Sequence, residues 1–109
     1  MPAHHPVLAP TPTLGDIQAY VAATNTFRGH DTSLQTCLLL LCEEVGELAK
    51  AARKSAGIRT DTAKPDDAHT DDEAADVLWV LASACNTLGI DLEHAFRAKS
   101  EKNKSRTWK

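Results

Sequence analysis

The sequence predicts an all-α protein, a small four-helix-bundle subunit. Ala and Leu recur throughout while aromatic residues make up only 5% of the chain, a balance that favours helices over sheets. Apolar residues repeat at spacings of three and four in four segments, which is the period of a helix face. Between these segments stand Gly, Asp, Thr and Ser, where helices start and stop. A chain of 109 residues, 42% of them apolar, has room for one compact domain, completed by oligomerisation if its own core is thin.

Residues 1–13, MPAHHPVLAPTPT, have no basic n-region and no continuous apolar stretch. They are expected to be a disordered Pro-rich leader ahead of a helical domain over residues 14–109. Thr13 can cap a first helix from about Leu14 to Phe27, with Asp16 in its acidic first turn. The stretch RGHDTS breaks that pattern at Gly29 and offers Asp31, Thr32 and Ser33 as caps for a second helix, from about Ser33 to Ala56, with Gly57 as its C-cap. The first half of this helix, CLLLLC, is apolar all round. One amphipathic contact cannot bury it, so it lies at a bundle centre or serves both a core and a subunit interface. Ile58 to His69 is rich in Asp, Thr and Pro without periodicity and reads as an exposed loop. Thr70 opens TDDE, a capping-box pattern, for a third helix ending at Leu88 before Gly89. Asp91 caps the fourth, LEHAFRAKSEKNKSR.

Charge and cysteine usage exclude several classes. The net charge of −3 argues against stable nucleic-acid binding. Its distribution is uneven, with six acids and no Lys or Arg from Asp66 to Asp76, and six basic residues facing only Glu101 from Arg97 to Lys109. Cys37, Cys42 and Cys85 have no C-x-x-C spacing and read as small buried residues in a reducing, cytoplasmic setting. A zinc site built from them and His30 fits no ligand spacing. No run approaches the roughly 18 apolar residues of a membrane span.

The carboxylates carry the chemistry. Glu44 and Glu47 are three apart on the second helix, and Glu73 and Asp76 repeat that spacing on the third. Two antiparallel helices can therefore aim two carboxylate pairs at one point. Glu44 continues the line of Leu40 and Leu41, and Asp76 leads to Val80, so these acids sit at the edge of an apolar seam. Partly buried like charges repel unless protons or a cation compensate. A hard divalent cation resolves the conflict, and Mg²⁺ in particular shares its sphere with substrate phosphates. Glu73 has a competing explanation, since it is also the third helical position of the Thr70 capping box.

The stretches EEVGELAKA and DEAADVLWVL resemble the MazG-like all-α nucleoside triphosphate pyrophosphatases, whose signature is E-E-x-x-E followed by E-x-x-D. Here the signature reads Glu43-Glu44-x-x-Glu47, 25 intervening residues, and Glu73-x-x-Asp76. The resemblance implies a dimeric or tetrameric helical subunit that hydrolyses (d)NTPs to monophosphate and pyrophosphate with Mg²⁺, or Mn²⁺ in its place. It assigns Glu44, Glu47, Glu73 and Asp76 as metal ligands, and Glu43 as a second-metal ligand or the general base. The tail resembles a K-x-x-x-N-x-x-R segment through Lys99, Asn103 and Arg106, whose spacings of four and three form one helical face suited to phosphate and sugar oxygens. For the base, His30, Phe27 and Trp108 are candidates for stacking or edge contacts, Lys54 is a candidate phosphate contact, and Trp79 reads as core. The resulting expectation is an enzyme that clears non-standard or surplus (d)NTPs. The alternative is a non-catalytic helical module that binds nucleotide or metal and acts through its oligomer interface.

Overall fold

The computed structural model describes residues 4–58 and 69–106. They form four helices, α1 (Leu14–Arg28), α2 (Leu34–Ser55), α3 (Thr70–Leu88) and α4 (Leu92–Lys104), with no strand among the described residues. Most of the loop expected between the second and third helices lies outside the described residues. Residues 4–13, expected to be disordered, have no regular secondary structure and lie along α1, where the His5 ring meets Phe27 at 4.7 Å.

The helix ends follow local chemistry. At α1 the Thr13 hydroxyl accepts from the Asp16 N–H and the Asp16 carboxylate accepts from the Thr13 N–H, both at 3.0 Å, completing a capping box. Ser33 caps α2 and Asp91 caps α4. Gly29 and Gly89 end α1 and α3 with φ of 69° and 71°, a left-handed conformation that only glycine adopts without a Cβ penalty. The expected capping box at Thr70 does not form. His69 holds the cap position without a side-chain cap bond, and the Thr70 hydroxyl instead meets that of Ser55 at 3.0 Å. Thr70 thus ties the start of α3 to the end of α2.

This tie and a second one fix how α2 and α3 pair. Near the other end Cys37 Sγ lies 3.5 Å from Ser83 Oγ, so the helices run antiparallel. Two turns from Cys37 toward the C-terminus of α2 is Glu44, and two turns from Ser83 toward the N-terminus of α3 is Asp76. The same register sets Leu40 opposite Val80 and Glu47 opposite Glu73.

The α1 helix crosses α3 through amide contacts. Gln18, only 8% exposed, donates to Asn86 Oδ1 at 3.0 Å and to the Ile90 carbonyl at 2.8 Å, and accepts from the Leu92 N–H at 2.8 Å. Asn86 returns a bond to the Gln18 carbonyl at 2.9 Å. One side chain therefore holds the short α3–α4 connection, where α4 turns 95° away from α3. The four expected helices are present, but α4 packs on α1 across this turn and does not run alongside α2 and α3.

The core that results is thin. Its buried apolar residues are Val21, Cys37, Ala51, Ala82, Ala84 and Cys85; no Leu, Ile, Phe or Trp among the described residues is fully buried. The α2 helix presents Cys37, Glu44 and Ala51 toward α3, while Leu38, Cys42, Val45 and Ala49 form a stripe on the opposite side, all exposed. Cys42 is thus outside the core that its apolar setting suggested. The α4 helix buries no residue at all, and Phe96 on it is 69% exposed. The radius of gyration is 17.0 Å, against about 13 Å for a compact domain of this length. No single described helix is long and apolar enough to cross a membrane.

Because Gln18 satisfies several buried polar groups at once, Gln18→Ala should lower unfolding free energy by about 1–3 kcal/mol in urea titrations. Gln35→Ala, at an exposed position of α2, should stay within about 0.5 kcal/mol of the parent.

Candidate active site

The α2–α3 register brings Glu44, Glu73 and Asp76 together, with one carboxylate oxygen from each lying within 4.8 Å of the others. Glu44 and Glu73 are half-buried and Asp76 is exposed. Glu73 makes no cap bond among the described residues, so the competing explanation of its position falls away. Burial pushes the Glu44 carboxyl above the ordinary glutamate range, and the charges of Asp76, Glu73, Glu43 and Glu47 push it further, in that order. The repulsion anticipated from spacing is therefore focused on Glu44. Three convergent carboxylates of this kind are a donor set for a hard, oxygen-preferring divalent ion.

Glu47 faces the level of Glu73 but is exposed and lies outside the closest trio. Glu43, Glu47 and Lys54 follow one another at spacings of four and seven, so they share one flank of α2 beside the cluster. Lys54 is half-buried and lies about 10 Å beyond Glu47 along the axis.

One turn from the acids in the other direction, a cavity of about 320 Å³ opens between α2, α3 and the α1–α2 turn. Leu40, Trp79 and Val80 form its apolar wall; Asn25, His30 and Ser83 supply polar atoms. Leu40 precedes Glu44, and Val80 follows Asp76, by one turn, so cavity and acids are about 6 Å apart along the helices. Asn25 Nδ2 donates to Ser83 Oγ at 3.0 Å, and Asn25 Oδ1 lies 3.1 Å from His30 Nδ1. With the amide turned this way Nδ1 carries the proton, which leaves Nε2 of the neutral ring as an acceptor. Asp31, also on the rim, accepts from the Ser33 N–H and from the Thr36 hydroxyl, and these bonds hold its carboxyl below the usual range.

The aromatic assignments shift accordingly. Trp79 is half-buried, with its ring edge-on to Tyr20 at 5.7 Å, and it lines the cavity as well as supporting the core. Phe27 is engaged by His5 and does not line the cavity. Trp108 lies outside the described residues. Asn25 and Ser83 were missed by sequence reasoning. Ser83 is four residues beyond Trp79 and seven beyond Asp76, a spacing that could have drawn attention to it.

The basic face of α4 is the largest departure. Lys99 and Asn103 share a face of α4, with Lys99 exposed and Asn103 half-buried, whereas Arg106 lies past the end of the helix. Asp76, however, lies twelve residues before the end of α3, about 18 Å along its axis, and α4 leaves that end at 95°. Within one subunit this face cannot close over the acids.

Comparison with known proteins bears directly on this geometry. Residues 32–109 match the profile of the MazG nucleotide pyrophosphohydrolase domain, a span that contains all the acids of the cluster. The chain belongs to the MazG family. It is 37% identical over 84 residues to the uncharacterized protein YpjD of Bacillus subtilis (strain 168), covering 76% of each chain. It is also 31% identical over 96 residues to a protein named dATP/dGTP diphosphohydrolase from Cyanophage S-2L, covering 88% of this chain and 78% of the relative. As a MazG protein, the chain is a nucleoside triphosphate pyrophosphatase.

The raised Glu44 makes a pH-dependent test of this MazG site. A carboxyl whose proton is held more tightly in the folded state contributes stability at low pH, and that contribution is lost as pH rises from the ordinary glutamate range through the raised value. In EDTA, Glu44→Gln should therefore melt higher than the parent at pH 7 and match it more closely near pH 4. The parent should gain melting temperature on Mg²⁺ addition at pH 7, and the variant should lose most of that gain; differential scanning calorimetry reads both.

Proposed function

We propose that this MazG protein uses Mg²⁺, with Mn²⁺ able to replace it, to convert (d)NTPs into (d)NMPs and pyrophosphate. The observation that carries this reading is the convergence of Glu44, Glu73 and Asp76 one turn from a nucleobase-sized cavity. Glu44, Glu73 and Asp76 would hold the ion, with Glu47 in register to join them. When bound, the ion neutralises phosphate charge and polarises the P–O bonds at the reacting phosphorus.

The chain's own residues would do the rest. The cavity holds the base so that the ribose and α-phosphate lie over the acids, a positioning effect that converts a bimolecular attack into a local one. A water oxygen bonds to the α-phosphorus, the bond from that phosphorus to the α–β bridging oxygen breaks, and pyrophosphate leaves. Glu43, exposed on the flank of the cluster, takes the proton of that water as general base or joins the ligands of a second ion. His30, with Nε2 free to accept, and Trp79, with a ring face for stacking, suit a purine carrying an exocyclic amine or ring N–H. That reading is supported by the activity named for the cyanophage relative. The physiological role we infer is clearance of non-standard or surplus nucleotides in the cytoplasm by a homodimer or homotetramer.

Purified protein supplied with Mg²⁺ and dATP or dGTP should release pyrophosphate and monophosphate, with no orthophosphate. Glu47→Gln and Asp76→Asn should each lower kcat by more than about 100-fold. Activity surviving both changes would overturn the assigned metal ligands, whereas saturable binding without turnover by the parent would favour the non-catalytic binding module. Trp79→Ala should raise KM for purine dNTPs about tenfold or more, in line with the stacking energy of one base, and alter kcat less.

A further inference from the structure

The cavity beside the acids has a direction. Along α2, Leu40 lies one turn before Glu44 in the apolar wall, and Thr36 lies a further turn back, about 12 Å from Glu44 along the axis. Val80 and Ser83 repeat that order on α3 beyond Asp76. A nucleotide with its phosphates over the acids therefore enters with the glycosidic side of its base near Leu40 and Val80. The far edge of the base, where one base differs from another, meets the end of the cavity formed by Thr36 and the α1–α2 turn.

That end carries a carboxylate. Asp31 lines the cavity, and one bond orients each of its oxygens. Oδ1 accepts from the Ser33 N–H at 2.9 Å, and Oδ2 accepts from the Thr36 hydroxyl at 2.7 Å. A carboxylate oxygen has two acceptor positions, so each has one more to offer. The Ser33 and Thr36 bonds also hold the carboxyl below the usual range, so at neutral pH Asp31 is ionised and accepts only. Ser33 caps α2 with its own side chain, so the helix start has its cap without Asp31. Among the described residues no Lys or Arg lines the cavity. The neighbouring His30 presents Nε2 as a further acceptor when its Nδ1 donates to Asn25. This end of the cavity is rich in acceptors and calls for a base edge that donates.

The bases differ in what they bring to it. Guanine carries two donors side by side, the ring N1–H and the exocyclic 2-amino group, and two parallel N–H groups match the two oxygens of one carboxylate. Hypoxanthine keeps the N1–H but lacks the amine. Adenine sets its amine beside an N1 lone pair, which would face a carboxylate oxygen. Cytosine has the same mismatch at N3, and thymine and uracil have a single N–H between two carbonyls. Stacking on Trp79 suits every base and so does not choose among them.

We propose that Asp31 is the specificity-determining residue of the site and that it selects guanine, its carboxylate taking the N1–H and 2-amino hydrogens of a (d)GTP whose ring stacks on Trp79. This assignment rests on the pyrophosphatase reading for the position of the phosphates, and it goes further by naming the base and the residue that reads it.

Isothermal titration calorimetry in Mg²⁺ with the non-hydrolysable α,β-imido analogues of dGTP, dITP and dATP reads the ranking without turnover. Wild-type protein should bind the dGTP analogue about ten- to a hundredfold more tightly than the dATP analogue, the range of one bidentate base contact, with the dITP analogue between them. Asp31→Asn puts a donor where one acceptor stood and should lose most of this preference, with its fold checked by circular dichroism. The wild-type ranking needs no variant, so it decides the matter even where Asp31→Asn fails to fold. Equal wild-type affinity for the dGTP and dATP analogues overturns the proposal. A dITP analogue bound as tightly as the dGTP analogue, or an unchanged preference in folded Asp31→Asn, also overturns it. Release of pyrophosphate from dGTP and dATP at equal kcat/KM would refute the role of Asp31 and leave the pyrophosphatase reading intact. The expected binding order without any release of pyrophosphate from dGTP would refute the pyrophosphatase reading alone.

Discussion

Mutual repulsion among carboxylates along the α2–α3 seam is the constraint around which the rest of the molecule is arranged. Glu44 is half-buried between helices and surrounded by Asp76, Glu73, Glu43 and Glu47, and its carboxyl is raised for that reason. Such a cluster is held only if the backbone on both sides is fixed independently of it. The Ser55–Thr70 and Cys37–Ser83 contacts do this, one beyond each end of the cluster. A proton relieves such like-charge repulsion only at lower pH, whereas the divalent ion proposed above would relieve it at neutrality.

The same register builds the rest of the site. Leu40 and Val80 face one another one turn from Glu44 and Asp76, so the apolar part of the seam becomes the wall of the cavity. Ser83 belongs to two structures at once, fixing α2 through Cys37 and fixing Asn25, and through it His30, from the α1 side. Ser83 thereby orients Asn25, which in turn meets the histidine on the cavity rim. The acids and the cavity are thus positioned by the same helix packing.

The small size of the core follows from where these elements sit. A helix with Glu44 toward α3 and Leu38 and Leu39 away from it cannot bury those two leucines against α3. The subunit is correspondingly thin-cored, with α4 turned outward on the Gln18 amide network. Outward-facing apolar residues and an unused basic helix are two consequences of the same geometry.

What the sequence determined by itself was local. Helix number, the Thr13, Ser33 and Asp91 caps and the glycine ends follow from residue chemistry within a few positions. The two acid pairs were also legible, since i,i+3 spacing places both members on one helix face wherever the helix goes. The Thr70 cap does not form because a hydroxyl at that position serves equally well in a tertiary bond, and Ser55, fifteen residues away, supplies one. Spacing alone puts Trp79 in the core, because it marks a buried face but does not distinguish a packed residue from one that borders a cavity. Only the tertiary structure could set which acids converge most closely, admit Asn25 and Ser83 to the cavity, and carry Lys99 and Asn103 away from the acids of their own chain. Those outcomes depend on helix register and on the 95° turn between α3 and α4, which are fixed by side chains far apart in sequence and leave no periodic signal in any one segment.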